Sequence, residues 1–111
     1  MRQTGGGISN WIIENIEFDG NDKADVVLYF QGNVQNFTMR NCKVHNSANA
    51  FVVLFDTVIG RNKFITLYGN YFAFSSGGYD IVGSGGDYFN VIGNTFTNNA
   101  SRTGEGFAMS N

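Results

Sequence analysis

The 111-residue chain carries seven basic and nine acidic residues, a net charge of −2. That length suits one domain with a modest core, and the slight acidity argues against nucleic acid or an anionic membrane as the main partner, since both select a basic surface. No run of about 18 apolar residues suggests a membrane-spanning helix, and the single cysteine, Cys42, excludes an internal disulfide and a cysteine-based metal site.

Residues 1–8, with Gly5-Gly6-Gly7, are expected to form a flexible lead-in. From there the chain repeats itself. Ile13-Glu14-Asn15-Ile16-Glu17-Phe18 is followed by Met39-Arg40-Asn41-Cys42-Lys43-Val44. Closer copies follow at Leu67-Tyr68-Gly69-Asn70-Tyr71-Phe72 and Val91-Ile92-Gly93-Asn94-Thr95-Phe96. Their starts at 13, 39, 67 and 91 lie 26, 28 and 24 residues apart. Self-similarity at such a period marks a stacked repeat architecture.

Within the copies, Trp11, Phe37, Ile65 and Phe89 align, and two residues later Ile13, Met39, Leu67 and Val91 do the same. The positions between and after them are more polar, which is the period-two pattern of a strand with one buried face. Asn15, Asn41, Gly69 and Gly93 come next, residue types that tolerate positive φ. The chain then resumes with an inward Phe18, Val44, Phe72 or Phe96. A further apolar run closes each copy: Ala24–Phe30, Ala50–Phe55, Tyr79–Val82 and Phe107–Met109. Each period therefore holds three short strands, and no segment keeps a helical period. The expected fold is all-β, a solenoid of about four coils over residues 9–34, 35–61, 62–86 and 87–111. Gly77-Gly78 and Gly83-Ser84-Gly85-Gly86 lack the helix and Lys-Ser/Thr of a phosphate loop and are expected as tight corners of the third coil.

Stacking in register makes a testable pattern of charge. Glu14 falls opposite Arg40, Glu17 opposite Lys43, Asp19 opposite His45 and Lys63 opposite Asp87. Adjacent parallel rungs lie about 4.8 Å apart, so opposite charges meet. The same alignment places Asn15 over Asn41 and Asn70 over Asn94, where side-chain amides can hydrogen-bond along the column.

These four copies, with their Asn/Gly corners and inward stacks, resemble the right-handed parallel β-helix of the pectate-lyase-like superfamily, over residues 9 to about 111. The resemblance implies a carbohydrate-related role and an extracellular or virion-surface setting. Fold analogy alone carries the function no further. Family enzymes usually have more coils and capped ends. The chain is therefore expected to be a fragment packed against further coils, or a homo-oligomer that covers its exposed strand edges.

Candidate chemistry is sparse. The resemblance implies acidic residues holding Ca²⁺ and an Arg or Lys base in a uronate-polysaccharide lyase or hydrolase. Asp56, Arg61, Lys63 and Asp80 are the local candidates under that reading, and Ca²⁺ its only implied cofactor. No Asp-x-Asp or Asp-Asp pair supplies the clustered carboxylates such a cation prefers, so solvated turn charges are the default. His45, beside Asp19, is expected as a surface rung rather than an acid–base catalyst. One His and one Cys assemble neither a metal centre nor a nucleophile triad.

The 17 aromatic residues say more. Trp11, Phe18, Phe37, Phe72, Phe89 and Phe96 are assigned to inward stacks. Strand parity directs several of Tyr29, Phe30, Phe51, Phe55, Phe64, Tyr68, Tyr71, Tyr79 and Tyr88 outward. Outward rings on a flat face suit sugar-ring stacking or burial against a second subunit. Tyr29, Phe51, Tyr68 and Tyr79 are the ligand-contact candidates. The favoured function is a non-catalytic β-helix module offering a rigid surface for carbohydrate or self-association, with the lyase or hydrolase fragment as the alternative.

Overall fold

The computed structural model describes residues 1–48, 51–73, 79–97 and 105–110, without the side chains of residues 79, 105–107 and 110. Gly77-Gly78 and Ala50 lie outside the described residues. The described elements are all strands. Arg2–Gln3 (β1) leads to Ile8–Ser9 (β2) and Ile12–Glu14 (β3), then Glu17–Asp19 (β4) and Leu28–Phe30 (β5). The next coil holds Val34–Arg40 (β6), Lys43–His45 (β7) and Val53–Phe55 (β8). The third holds Asn62–Tyr68 (β9), Tyr71–Ala73 (β10) and Tyr79–Ser84 (β11), and the fourth Gly86–Ile92 (β12), Thr95–Thr97 (β13) and Glu105–Ser110 (β14).

The strands form three parallel sheets. Sheet I runs β1-β5-β8-β11-β14, sheet II runs β2-β6-β9-β12 with β3 also on β6, and sheet III runs β4-β7-β10-β13. Each strand pairs with its counterpart one turn away, so the chain is a parallel β-solenoid. Three full turns separate its first and fourth passages through sheets II and III. Residues 1–8 contain β1, which pairs with β5, and Ile8 of β2, which pairs with Val34 of β6.

The register is the one the repeat implies. Glu14 pairs with Arg40, Glu17 with Lys43, Asp19 with His45 and Lys63 with Asp87. Arg40 Nε donates to Glu14 Oε2 at 2.6 Å, and Lys43 Nζ lies 3.1 Å from Glu17 Oε1. Lys63 and Asp87 are rung neighbours, but the Asp87 carboxylate is bonded by Arg61, whose Nη2 lies 2.9 Å from Oδ1. The forked guanidinium reaches diagonally where the straight lysine points to solvent.

Inside, side chains stack in columns. Phe37, Ile65, Met39, Leu67, Val44 and Phe72 are fully buried. Phe30 and Phe55 are also fully buried, stacked at 4.7 Å and 8°, with Phe37 edge-on to both. Both stand among the nine rings of which several are expected outward, and these two belong to the interior. In sheet I, β5 and β8 are only three residues long, and Val27, Leu28 and Phe30 all reach the core. Trp11, assigned to an inward column, is 47% exposed. It stands in the first coil, beside a depression lined also by Ile8 and Phe30.

Asparagines fasten the corners. Asn70 Oδ1 accepts from the Cys42 N–H at 2.9 Å while its Nδ2 donates to the Met39 carbonyl at 2.8 Å. One coil later Asn94 does the same for the Asn70 N–H (2.9 Å) and the Leu67 carbonyl (2.8 Å). Backbone groups that the turning strand cannot pair are thereby satisfied. Asn62 repeats the device at another corner, accepting from the Val34 N–H and donating to the Asp56 carbonyl. Asn15, Asn41, Gly69 and Gly93 instead share one exposed left-handed corner, with φ of 57°, 52°, 63° and 61°.

Candidate functional site

Sheet II is the broadest face, because β6, β9 and β12 each run seven residues. Its outward side chains stand in columns, one residue per coil. Ser9, Gln35, Lys63 and Asp87 form the first. Ile12, Thr38, Thr66 and Asn90 form another, and Glu14, Arg40, Tyr68 and Ile92 a last. Between the first and second of these stand Asn10, Asn36, Phe64 and Tyr88, all at positive φ of 59°, 51°, 57° and 62°. A left-handed residue kinks the strand, so Lys63 and Phe64 both face solvent in succession, although strict alternation would bury one of them.

The column changes character along the solenoid. In the first two coils it is an amide pair, Asn36 Nδ2 donating to Asn10 Oδ1 at 3.2 Å. In the last two it is a pair of rings, Phe64 and Tyr88, with centroids 4.9 Å apart and planes within 1° of parallel. They are 50% and 70% exposed. Asparagine tolerates this backbone conformation, whereas a bulky side chain held there is strained by about 1–2 kcal/mol. Farther along the same two strands, Tyr68 (52% exposed) and Ile92 are again open to solvent. Thr66 and Asn90 separate the two apolar pairs. Beside the rings the Arg61–Asp87 hydrogen bond holds the Asp87 carboxyl below its ordinary range and raises the guanidinium.

The expected site residues are scattered. Tyr29 and Tyr79 belong to sheet I and Tyr68 to sheet II, while Phe51 is half-buried just before β8. The Tyr79 side chain lies outside the described residues. Tyr29 is half-buried, its hydroxyl donating to Asp56 Oδ2 at 3.1 Å and the Arg2 guanidinium lying 4.9 Å from its ring centre. It borders an open depression of about 400 Å³ with Arg2, Asp25 and Leu54. Asp56 also accepts from the Thr57 N–H at 2.7 Å. Asp80 is fully buried, whereas Arg61 and Lys63 are exposed, so Asp56, Arg61, Lys63 and Asp80 do not converge on one surface. Among the described residues no three His, Cys, Asp or Glu side chains come together to hold a metal ion.

His45, expected on the surface, is buried. Its Nε2 lies 2.8 Å from Glu17 Oε1, the oxygen that Lys43 also reaches, and its Nδ1 is 3.7 Å from Asp19 Oδ1. The Lys43 and then the His45 hydrogen bond hold the Glu17 carboxyl below its ordinary range. The Asn21 N–H and the Asn46 amide do the same for Asp19. Glu17 and Asp19 of one coil are tied in this way to Lys43, His45 and Asn46 of the next, which makes this a clamp between coils.

No family model, curated protein or solved structure matches the chain. Function therefore has to be read from the surface itself. Phe64 and Tyr88 stand among the nine rings of which several are expected outward, but neither is a ligand-contact candidate from the sequence, and their pairing and backbone were not foreseen. The signal was available: Asn10 and Asn36 occupy the same place in the earlier coils, and two asparagines in one column announce a left-handed position.

Proposed function

We propose that the chain is a non-catalytic β-solenoid module of the pectate-lyase-like kind whose sheet II binds carbohydrate at an extracellular or virion surface. One observation carries the reading: Phe64, Tyr68, Tyr88 and Ile92 stand open to solvent on one flat parallel face. Rings held on stacked strands present rigid apolar surface with little conformational entropy left to lose, which suits the apolar face of a sugar ring. The dispersed placement of Asp56, Arg61, Lys63 and Asp80 favours binding over lyase or hydrolase chemistry, because acid–base catalysis needs its groups within reach of one substrate atom.

Affinity electrophoresis against neutral and uronate-containing polysaccharides tests the reading, with retardation expected for at least one of them. Absorbance of unsaturated product, followed with and without Ca²⁺, tests the catalytic alternative. Reproducible turnover overturns the non-catalytic assignment.

A further inference from the structure

The strained ring pair calls for a reason. A position served by hydrogen-bonded asparagines in two coils is filled in the next two by bulky rings whose backbone conformation opposes them. Stacking of exposed rings returns about 0.5–1.5 kcal/mol, while two strained residues oppose it by about 1–2 kcal/mol each. Folding stability alone therefore does not explain Phe64 and Tyr88. Strain of this kind collects where a surface is used.

We infer that the Phe64–Tyr88 pair and the Tyr68–Ile92 pair are the two ends of a single stripe along β9 and β12 that takes an extended oligosaccharide. The inference rests on the carbohydrate reading of sheet II and specifies where, how and with what length of ligand it works. The pairs stand four positions apart along the strand, about 13 Å, so a single sugar touches one end and only a chain of several units spans both. Thr66 and Asn90 lie between them and offer hydroxyl and amide groups to the middle of the ligand. Arg61 and Asp87, already bonded to each other, border the ring end with both a donor and an acceptor.

The dimensions choose the occupant. Two rungs wide among the described strands and shorter than the seven-residue strands that carry it, the stripe covers roughly 200 Å², against about 800 Å² per partner in a stable protein interface. It is too narrow for a second copy and matches a chain laid parallel to the strands.

The test combines thermal unfolding with calorimetric titration of cello- and xylo-oligosaccharides of increasing length. The double variant Phe64→Asn/Tyr88→Asn, which restores the residue type of the first two coils, is expected to melt a few degrees higher than the parent protein. It is also expected to bind the longest ligand at least about tenfold more weakly. Affinity in the parent should climb with chain length and then level off, and Tyr68→Ala should flatten that climb. A lower melting temperature for the double variant overturns the strain argument. Sugar binding indifferent to these substitutions overturns the stripe while leaving the carbohydrate reading standing. A parent protein that binds no polysaccharide overturns both. Concentration-dependent dimerisation abolished by Tyr88→Asn assigns the stripe to a second copy instead and overturns the inference.

Discussion

Asn94 Oδ1 accepts both the backbone N–H of Asn70, at 2.9 Å, and its side-chain amide, at 3.0 Å. One carboxamide thus secures the corner of the coil before it, and Asn70 secures the corner before that. Replacing Asn70 with Leu keeps the volume and removes both bonds, stranding the Cys42 N–H and the Met39 carbonyl in the interior. A loss of about 2–4 kcal/mol is expected from urea unfolding, since each buried unpaired group costs about 1–3 kcal/mol. Cys42 already occupies the ladder position one coil earlier, its thiol reaching the Ile13 carbonyl at 3.6 Å, so the opposite change, Cys42→Asn, is expected to be tolerated far better.

The clamp on sheet III predicts a pH dependence. Glu17 and Asp19 have folded-state pKa values below their ordinary 4.5 and 3.8. A depressed carboxyl contributes stability that is present above its unfolded pKa and lost as pH falls through the folded one. Stability should therefore decline as the solution is acidified from above 4.5 and level off once both groups are protonated. Denaturant midpoints between pH 7 and pH 2 measure this. Glu17→Gln with Asp19→Asn should flatten the curve, chiefly at its acid end.

Gly32 and Gly93 both have positive φ, but only one is enclosed. A Cβ on Gly32 would lie 2.4 Å from the Gly60 carbonyl oxygen, at φ 118°. On Gly93, at φ 61°, it would meet nothing within 4 Å. Gly32→Ala is expected to destabilise by about 2 kcal/mol or more. Gly93→Asn should stay within about 1 kcal/mol, because Asn15 and Asn41 already hold the same corner. Thermal melts of the two variants give the comparison.

Phe55 tests the interior side of sheet I. It is fully buried against Phe30, Phe37 and Phe89, so Phe55→Ala should cost about 3–5 kcal/mol in chemical unfolding. Tyr68→Ala, on an open face, should change stability by no more than about 0.5 kcal/mol.

The winding was legible because the chain states it four times: the intervals of 26, 28 and 24 residues return as the spacing of hydrogen-bonded partners. Sheets II and III carry those aligned copies, and their inward columns were readable down to Val44 and Phe72. Sheet I was harder. Its strands run from two to six residues and pair at uneven intervals, Leu28 with Val53 and Val53 with Ile81, so no repeat fixed the parity that separates the buried Phe30 and Phe55 from the outward rings. His45 was misplaced for a related reason. Its rung partner was identified, but nothing in the spacing showed Glu17 reaching across to enclose the ring. The ring pair of sheet II depended on a kink, and a kink shifts the alternation on which the outward assignments relied.

Backbone amide mapping by NMR, with the oligosaccharide that binds most tightly, addresses the central claim most directly. Perturbations should concentrate on β9 and β12, from Lys63 to Tyr68 and from Asp87 to Ile92. A response centred on Tyr29 and Asp56 in sheet I, or spread evenly over the three sheets, would contradict it.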